Sequence, residues 1–320
     1  MKILKLTPAI KDNIWGGTRL SKEFEMVSFT DRQAEAWVLS CHGDGECIIE
    51  NTEFKGRTLS DVLSDEGKGY LGTNCDKYEF FPLLIKLIDA NDDLSIQVHP
   101  DDEYAMRVEG EYGKTEAWYI MDCDENSELI YGFKKDITKE EFRRSIEENT
   151  LSEYVNRVKV KKGDVFFIEA GTLHAICKGI LLAEVQQNSN TTYRVYDYGR
   201  LQNGKPRELH IEKAIDVTSL KAADADGKPM GEEVDLGTYS ETMLVDCELF
   251  TMKRLDVRES AKIMADSTSF VSLVALEGNG VVMHGDTCIT LYKGESLFVP
   301  AGFGEAEILG SVTVLESRVK

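Results

Sequence analysis

The sequence predicts a mainly β chain of two barrel-like units, with helices inserted in the N-terminal half. Three observations carry that expectation. Strand-length runs rich in branched and aromatic residues, bounded by Gly, Asp or Asn, recur along the 320 residues. A polar stretch at 221–233, holding Gly and Pro, separates two series of such runs. One segment of the first series, 163–174, returns in the second at 294–305.

In chain order, the first series comprises 35–40, 47–50, 83–88, 117–121, 128–131, 165–168 and 181–186. After the linker come 251–255, 270–276, 280–283 and 288–291. Short strands with intervening turns favour a sandwich or barrel over alternating βα units. The helices read as insertions. One begins at Thr58, and another at Asp101 opens with acids suited to a helix N-terminus. A third spans 136–149, where Thr138 caps the first turn, Glu141 completes a capping box, and Phe142 and Ile146 share a face. A fourth begins near His210. The linker places a domain boundary between residues 1–225 and 226–320.

Composition narrows the function. The chain is too long for one small core, and 42% hydrophobic with 29% charged residues is ordinary for a globular protein. No apolar run approaches the ~18 residues that cross a bilayer, and the charged N-terminus is unlike a signal peptide. A cytoplasmic protein with no membrane partner is expected. A net charge of −20 argues against a nucleic-acid partner, which needs a basic face. It leaves room for a small phosphorylated ligand, because local cations outweigh a screened distant field. The seven cysteines include no Cys-x-x-Cys pair and read as reduced thiols.

The chemistry concentrates in Ser95-Ile-Gln-Val-His-Pro100, Lys114-Thr-Glu116 and Gly171-Thr-Leu-His174. The chain has five histidines, and His99 and His174 both fall in this pattern. Two imidazoles and the Glu116 carboxylate make a divalent-metal set, with the Gln97 amide oxygen as a fourth donor. Alternation along a strand sends Gln97 and His99 to one face, and Pro100 ends that strand. Lys114 and Glu116, also two apart, can address one cavity, one residue for an anion and one for a metal. The segment 184–200 is dense in amides, hydroxyls and guanidinium groups, which suit a polyol phosphate. Glu184 follows an apolar run, where an acid needs a partner or a function.

The repeat is more specific. Gly163-Asp-Val-Phe-Phe-Ile-Glu-Ala-Gly-Thr-Leu-His174 and Gly294-Glu-Ser-Leu-Phe-Val-Pro-Ala-Gly-Phe-Gly-Glu305 share a Gly, an acid, a hydrophobic strand and Ala-Gly. Both resemble the second cupin motif. The first copy keeps the histidine and has Glu169 where many cupins have Pro; the second keeps Pro300 and ends in Glu305. The resemblance implies a bicupin, two jelly-roll β-barrels of which only the first holds metal.

With Trp15-Gly16-Gly17, the three motifs above, and Glu184 followed by Arg194 ten residues on, the chain resembles the type I mannose-6-phosphate isomerases in their shorter bacterial form. That resemblance implies one Zn2+ per chain, held by Gln97, His99, Glu116 and His174. It implies Arg194 as the catalytic arginine and Ser95, Lys114, Glu184 and Trp15 as substrate-binding residues. It further implies interconversion of mannose 6-phosphate and fructose 6-phosphate through a cis-enediol, in a monomer or weak homo-oligomer. Two His and one carboxylate also describe a non-haem iron oxygenase, and a bicupin that binds sugar phosphates without catalysis is the third reading.

Overall fold

Alternation along each strand decides which residues meet at the site, and two facing antiparallel sheets supply them. The computed structural model describes residues 1–28, 30 and 32–320. The first sheet has six strands in the order Val165–Ile168, Glu116–Cys123, Ile180–Gln187, Leu83–Ala90, Glu35–Leu39 and Ala9–Lys11. The second has five: Val155–Lys159, Glu128–Phe133, His174–Ile176, Ile96–Val98 and Tyr193–Tyr196. The antiparallel sheets bear out the mainly β fold class expected from the sequence.

The unbroken apolar character of Leu83–Ala90 and Ile180–Gln187 has a physical cause: every residue of both strands is buried. One face, including Leu83, Ile85, Leu87 and Val185, packs against Phe250 and Phe270 of the C-terminal unit. The other looks into the site. Phe81, Phe270 and Phe298 stack across the junction, with ring centroids 5.3 and 4.9 Å apart.

The C-terminal unit is built on a ten-stranded sheet dominated by Val271–His284 and Gly304–Val319. These strands are far longer than the runs legible in the sequence. Strand Leu4–Thr7, from the very start of the chain, pairs antiparallel with Ser296–Val299 of this sheet. The N-terminal residues therefore stitch the two units together.

The repeat survives as backbone geometry. Gly163 and Gly294 take φ of 92° and 87°, and Gly171 and Gly302 take 89° and 74°. These left-handed conformations favour glycine at both turns of each copy. Glu169 stands in for proline without disturbing the turn, since Thr172 N–H donates to the Glu169 carbonyl at 3.0 Å.

Helices occupy the expected places: Leu59–Glu66, Asp102–Val108, Lys139–Glu147 and Ile211–Val217. Thr58 and Asp101 cap the first two, and Thr138 with Glu141 forms the capping box of the third. No helix among the described residues is long and apolar enough to cross a membrane.

Candidate metal centre and its cavity

Strand register assembles the site from two rows of side chains. In the five-stranded sheet His174 lies opposite Gln97, and Gln97 lies opposite Arg194. Directly opposed residues share a face, so these three stand side by side. In the six-stranded sheet Trp118 lies opposite Glu184, Glu184 opposite Lys86, and Lys86 opposite Trp37. Glu116, two residues before Trp118, shares that face.

His99, Glu116 and His174 converge, with one potential ligand atom from each within 4.8 Å of the others. His99 Nε2 is 3.6 Å from Glu116 Oε2, and His174 Nε2 is 3.4 Å from Glu116 Oε1. All three side chains are buried. Each imidazole directs Nδ1 to a main-chain carbonyl, His99 to Thr191 and His174 to Thr172, both at 2.9 Å. Those carbonyls can only accept, so Nδ1 carries the proton and Nε2 keeps a lone pair turned toward Glu116.

Among the described residues, Glu116 Oε1 and His174 Nε2 have no hydrogen-bond partner. The Lys114 ammonium lies 3.0 Å from Glu116 Oε2 as an ion pair and 3.2 Å from His99 Nε2. Buried lone pairs without donors are costly unless a cation takes them. Two neutral imidazoles and one carboxylate fit a divalent metal ion.

Electrostatics points the same way. Burial pushes the His174 imidazole down to about 4, and burial with Lys114 and His174 holds His99 well below its usual range. Burial, then the neighbouring Glu184 charge, pushes Glu116 up to about 7, against the pull of Lys114. Below that pH, Glu116 must shed a proton to bind a metal, while His174 stays neutral down to about 4. Metal affinity of the apoprotein should therefore rise with pH between about 4.5 and 7, with a slope near one proton per ion. Competition titrations across that range check this; a flat profile would contradict it.

Beside the cluster lies a cavity of about 320 Å³. Its wall includes Trp15, Ser95, Gln97, Lys114, Glu184 and Arg194. Every substrate residue expected from the sequence thus reaches one cavity, together with Arg194, the arginine expected to be catalytic. Ser95 Oγ donates to Gln97 Oε1 at 3.2 Å. Arg194 donates from Nη1 to the Glu208 carbonyl at 3.0 Å, and its buried Nε has no hydrogen-bond partner among the described residues. Glu184 is held ionised against its burial by Lys86 at 3.0 Å, and it accepts from Trp118 Nε1 at 2.8 Å.

Sequence reasoning passed over Lys86, Glu35, Arg207 and His210, which share this wall. Lys86 is the one charge in the apolar run 83–88, a signal that was available. Arg207 donates from Nε and Nη2 to Asp197 at 2.7 and 2.5 Å and reaches the cavity from a loop with no pattern of its own. Among the described residues the cavity wall carries four cations, Lys86, Lys114, Arg194 and Arg207, and two carboxylates, Glu35 and Glu184. Three of these cations are paired, Lys86 with Glu184, Lys114 with Glu116 and Arg207 with Asp197. That leaves Arg194 as the wall cation with no carboxylate partner among the described residues, and a guanidinium so placed suits a phosphate anion.

Trp15 is placed by close backbone packing. A Cβ on Gly17 would lie 2.2 Å from Asp89 Oδ2, the oxygen that accepts from Arg19 N–H at 2.8 Å. Gly17→Ala should therefore destabilise the fold by about 1–3 kcal/mol. Thermal unfolding checks this, and an unchanged midpoint would contradict it.

In the second copy, the position of His174 is taken by Glu305. This residue is solvent-exposed and joins no ligand cluster among the described residues; it pairs with Lys262 at 2.9 Å.

Comparison with known proteins gives a consistent result. The family model for the phosphomannose isomerase type I catalytic domain matches residues 3–134, and that for the mannose-6-phosphate isomerase cupin domain matches 240–319. The mannose-6-phosphate isomerase ManA of Bacillus subtilis is 39% identical over 315 residues, covering 98% of this chain and 97% of that one. A mannose-6-phosphate isomerase of Streptococcus mutans is 38% identical over 319 residues, covering 98% of each. The crystal structure of the mannose 6-phosphate isomerase from Bacillus subtilis superimposes with a TM-score of 0.92 at 38% identity, covering 99% of each chain.

Proposed function

The chain belongs to the type I phosphomannose isomerases, and from that premise we propose that it interconverts mannose 6-phosphate and fructose 6-phosphate with the help of one zinc ion. The observation that carries the reading is the juxtaposition of the His99–Glu116–His174 cluster with a cation-rich cavity that also presents Arg194.

His99, Glu116 and His174 would hold the ion, with the Gln97 amide oxygen as fourth donor from the same face as His174. When bound, the zinc supplies Lewis-acid polarisation to the sugar oxygens at C1 and C2. Isomerisation of the open-chain sugar moves a proton between C2 and C1 through a cis-enediol. Arg194 presents fixed, partly buried N–H donors to the negative charge that develops on the neighbouring oxygens. The ionised Glu184 carboxylate, whose Oε1 is paired with the Lys86 ammonium at 3.0 Å, lies on the cavity wall and is one candidate to hold the migrating proton. Lys114 and Ser95 would bind the phosphate and hydroxyls, and Trp15 closes the apolar side of the cavity.

On this reading residues 1–225 carry the chemistry and 226–320 form a metal-free cupin scaffold, joined by strand Leu4–Thr7. All seven cysteines are free, in keeping with a cytoplasmic enzyme. A coupled assay for fructose 6-phosphate run beside an oxygen electrode tests the assignment. Isomerisation without oxygen uptake supports it; oxygen consumption without isomerisation would replace it with an iron oxygenase.

A further inference from the structure

The Thr191 carbonyl that fixes His99 belongs to a segment with no regular secondary structure, 188–192, between strands Ile180–Gln187 and Tyr193–Tyr196. Asn190 and Thr192 of the same segment line the cavity. One short stretch thus orients a metal ligand and forms part of the substrate wall. Its position needs a cause, because an unpaired loop carries no ladder of its own.

The cause is a carboxylate from outside the segment. Glu111 Oε2 accepts from Ser189 Oγ at 3.3 Å, Asn190 N–H at 3.2 Å and Thr191 Oγ1 at 3.1 Å. Its other oxygen lies 3.4 Å from His42 Nε2. From the inner side, Gln186 Nε2 donates to the Ser189 carbonyl at 2.7 Å. The segment is gripped between Gln186 and Glu111, and Ser189 is completely buried there. Glu111 is neither a metal ligand nor part of the cavity wall, so no motif of the chemistry includes it.

We infer that Glu111 is a positioning residue, whose carboxylate holds the Ser189–Thr191 turn so that the Thr191 carbonyl orients His99 for the metal and Asn190 and Thr192 keep the substrate wall in place. The inference rests on the metal reading of His99, Glu116 and His174. Three consecutive residues donating to one oxygen define the turn's position, and the His99 Nδ1 contact passes that position to Nε2. Loss of an outer partner of this kind weakens metal binding by roughly 10–100-fold.

The test is zinc affinity of the apoprotein, measured by competition with a chromophoric chelator, alongside KM and kcat for mannose 6-phosphate. Glu111→Ala should bind zinc roughly 10-fold or more weakly and show a raised KM. Glu111→Gln keeps an acceptor oxygen and should stay within roughly threefold of the unmodified protein, a rescue that general destabilisation would not produce. Thr191→Val removes one of the three donors yet keeps the carbonyl, and should give a smaller loss in the same direction. Glu111 is half-buried at the surface, so the variants are expected to fold, and thermal unfolding of each apoprotein checks this. Wild-type zinc affinity in Glu111→Ala, or equal losses in Glu111→Ala and Glu111→Gln, would overturn the inference alone. Absence of zinc binding by the unmodified protein would instead overturn the metal reading on which it stands.

Discussion

Replacing His174 with alanine is expected to remove the metal and the activity together. His174 provides one of two imidazoles in the cluster, is fully buried, and is aimed by the Thr172 carbonyl. Without it Glu116, His99 and the weaker amide donor Gln97 remain, and three ligands of that kind hold the ion poorly. The fold should survive, because the His174–Ile176 strand pairs through its main chain with Glu128–Phe133 and Ile96–Val98. Purified protein should contain little zinc by elemental analysis and turn over mannose 6-phosphate at background rate. Stoichiometric zinc in this variant would show that the centre lies elsewhere.

Arg194→Ala separates chemistry from metal binding. The guanidinium stands beside Gln97 in the row that ends at His174, yet it contributes no ligand. Burial and the nearby Arg207 work against its charge, and its hydrogen bond goes to the neutral Glu208 carbonyl rather than to a carboxylate. A cation kept in that setting is poised for negative charge brought by the substrate or developed during reaction. The variant should keep a full complement of zinc and lose roughly 10²-fold or more in kcat. Steady-state kinetics with metal analysis on the same sample checks this. A change confined to KM would assign Arg194 to substrate binding alone.

The candidate centre was legible in the sequence because the residues proposed to hold the metal obey local rules. Gln97 and His99 alternate on a strand that Pro100 ends, and His174 closes a glycine turn whose copy at 294–305 shows it to be a motif. The surrounding charge was less legible. Lys86 belongs to the cavity because Trp37 and Glu184 flank it in register, and register is a non-local property. Arg207 and His210 enter from beyond strand Tyr193–Tyr196 with no periodicity to place them. Strand Leu4–Thr7 was missed for a similar reason. Four residues are a faint signal, and their partner Ser296–Val299 lies at the other end of the chain.

The packing between the units has the same basis. Alternation gives strand Leu83–Ala90 one face for Lys86 and the site. Its other face carries Leu83, Ile85 and Leu87, which pack against the C-terminal sheet. The C-terminal unit therefore backs the very strands that carry Glu184 and Lys86, while in its own copy of the motif Glu305 stands where the first copy has His174.

The most direct test follows fructose 6-phosphate formation before and after the metal is stripped with a chelator, then after zinc alone is returned. Turnover should be lost in step with loss of zinc and recover at one equivalent per chain. Full isomerase activity in protein shown by elemental analysis to be metal-free would contradict this expectation.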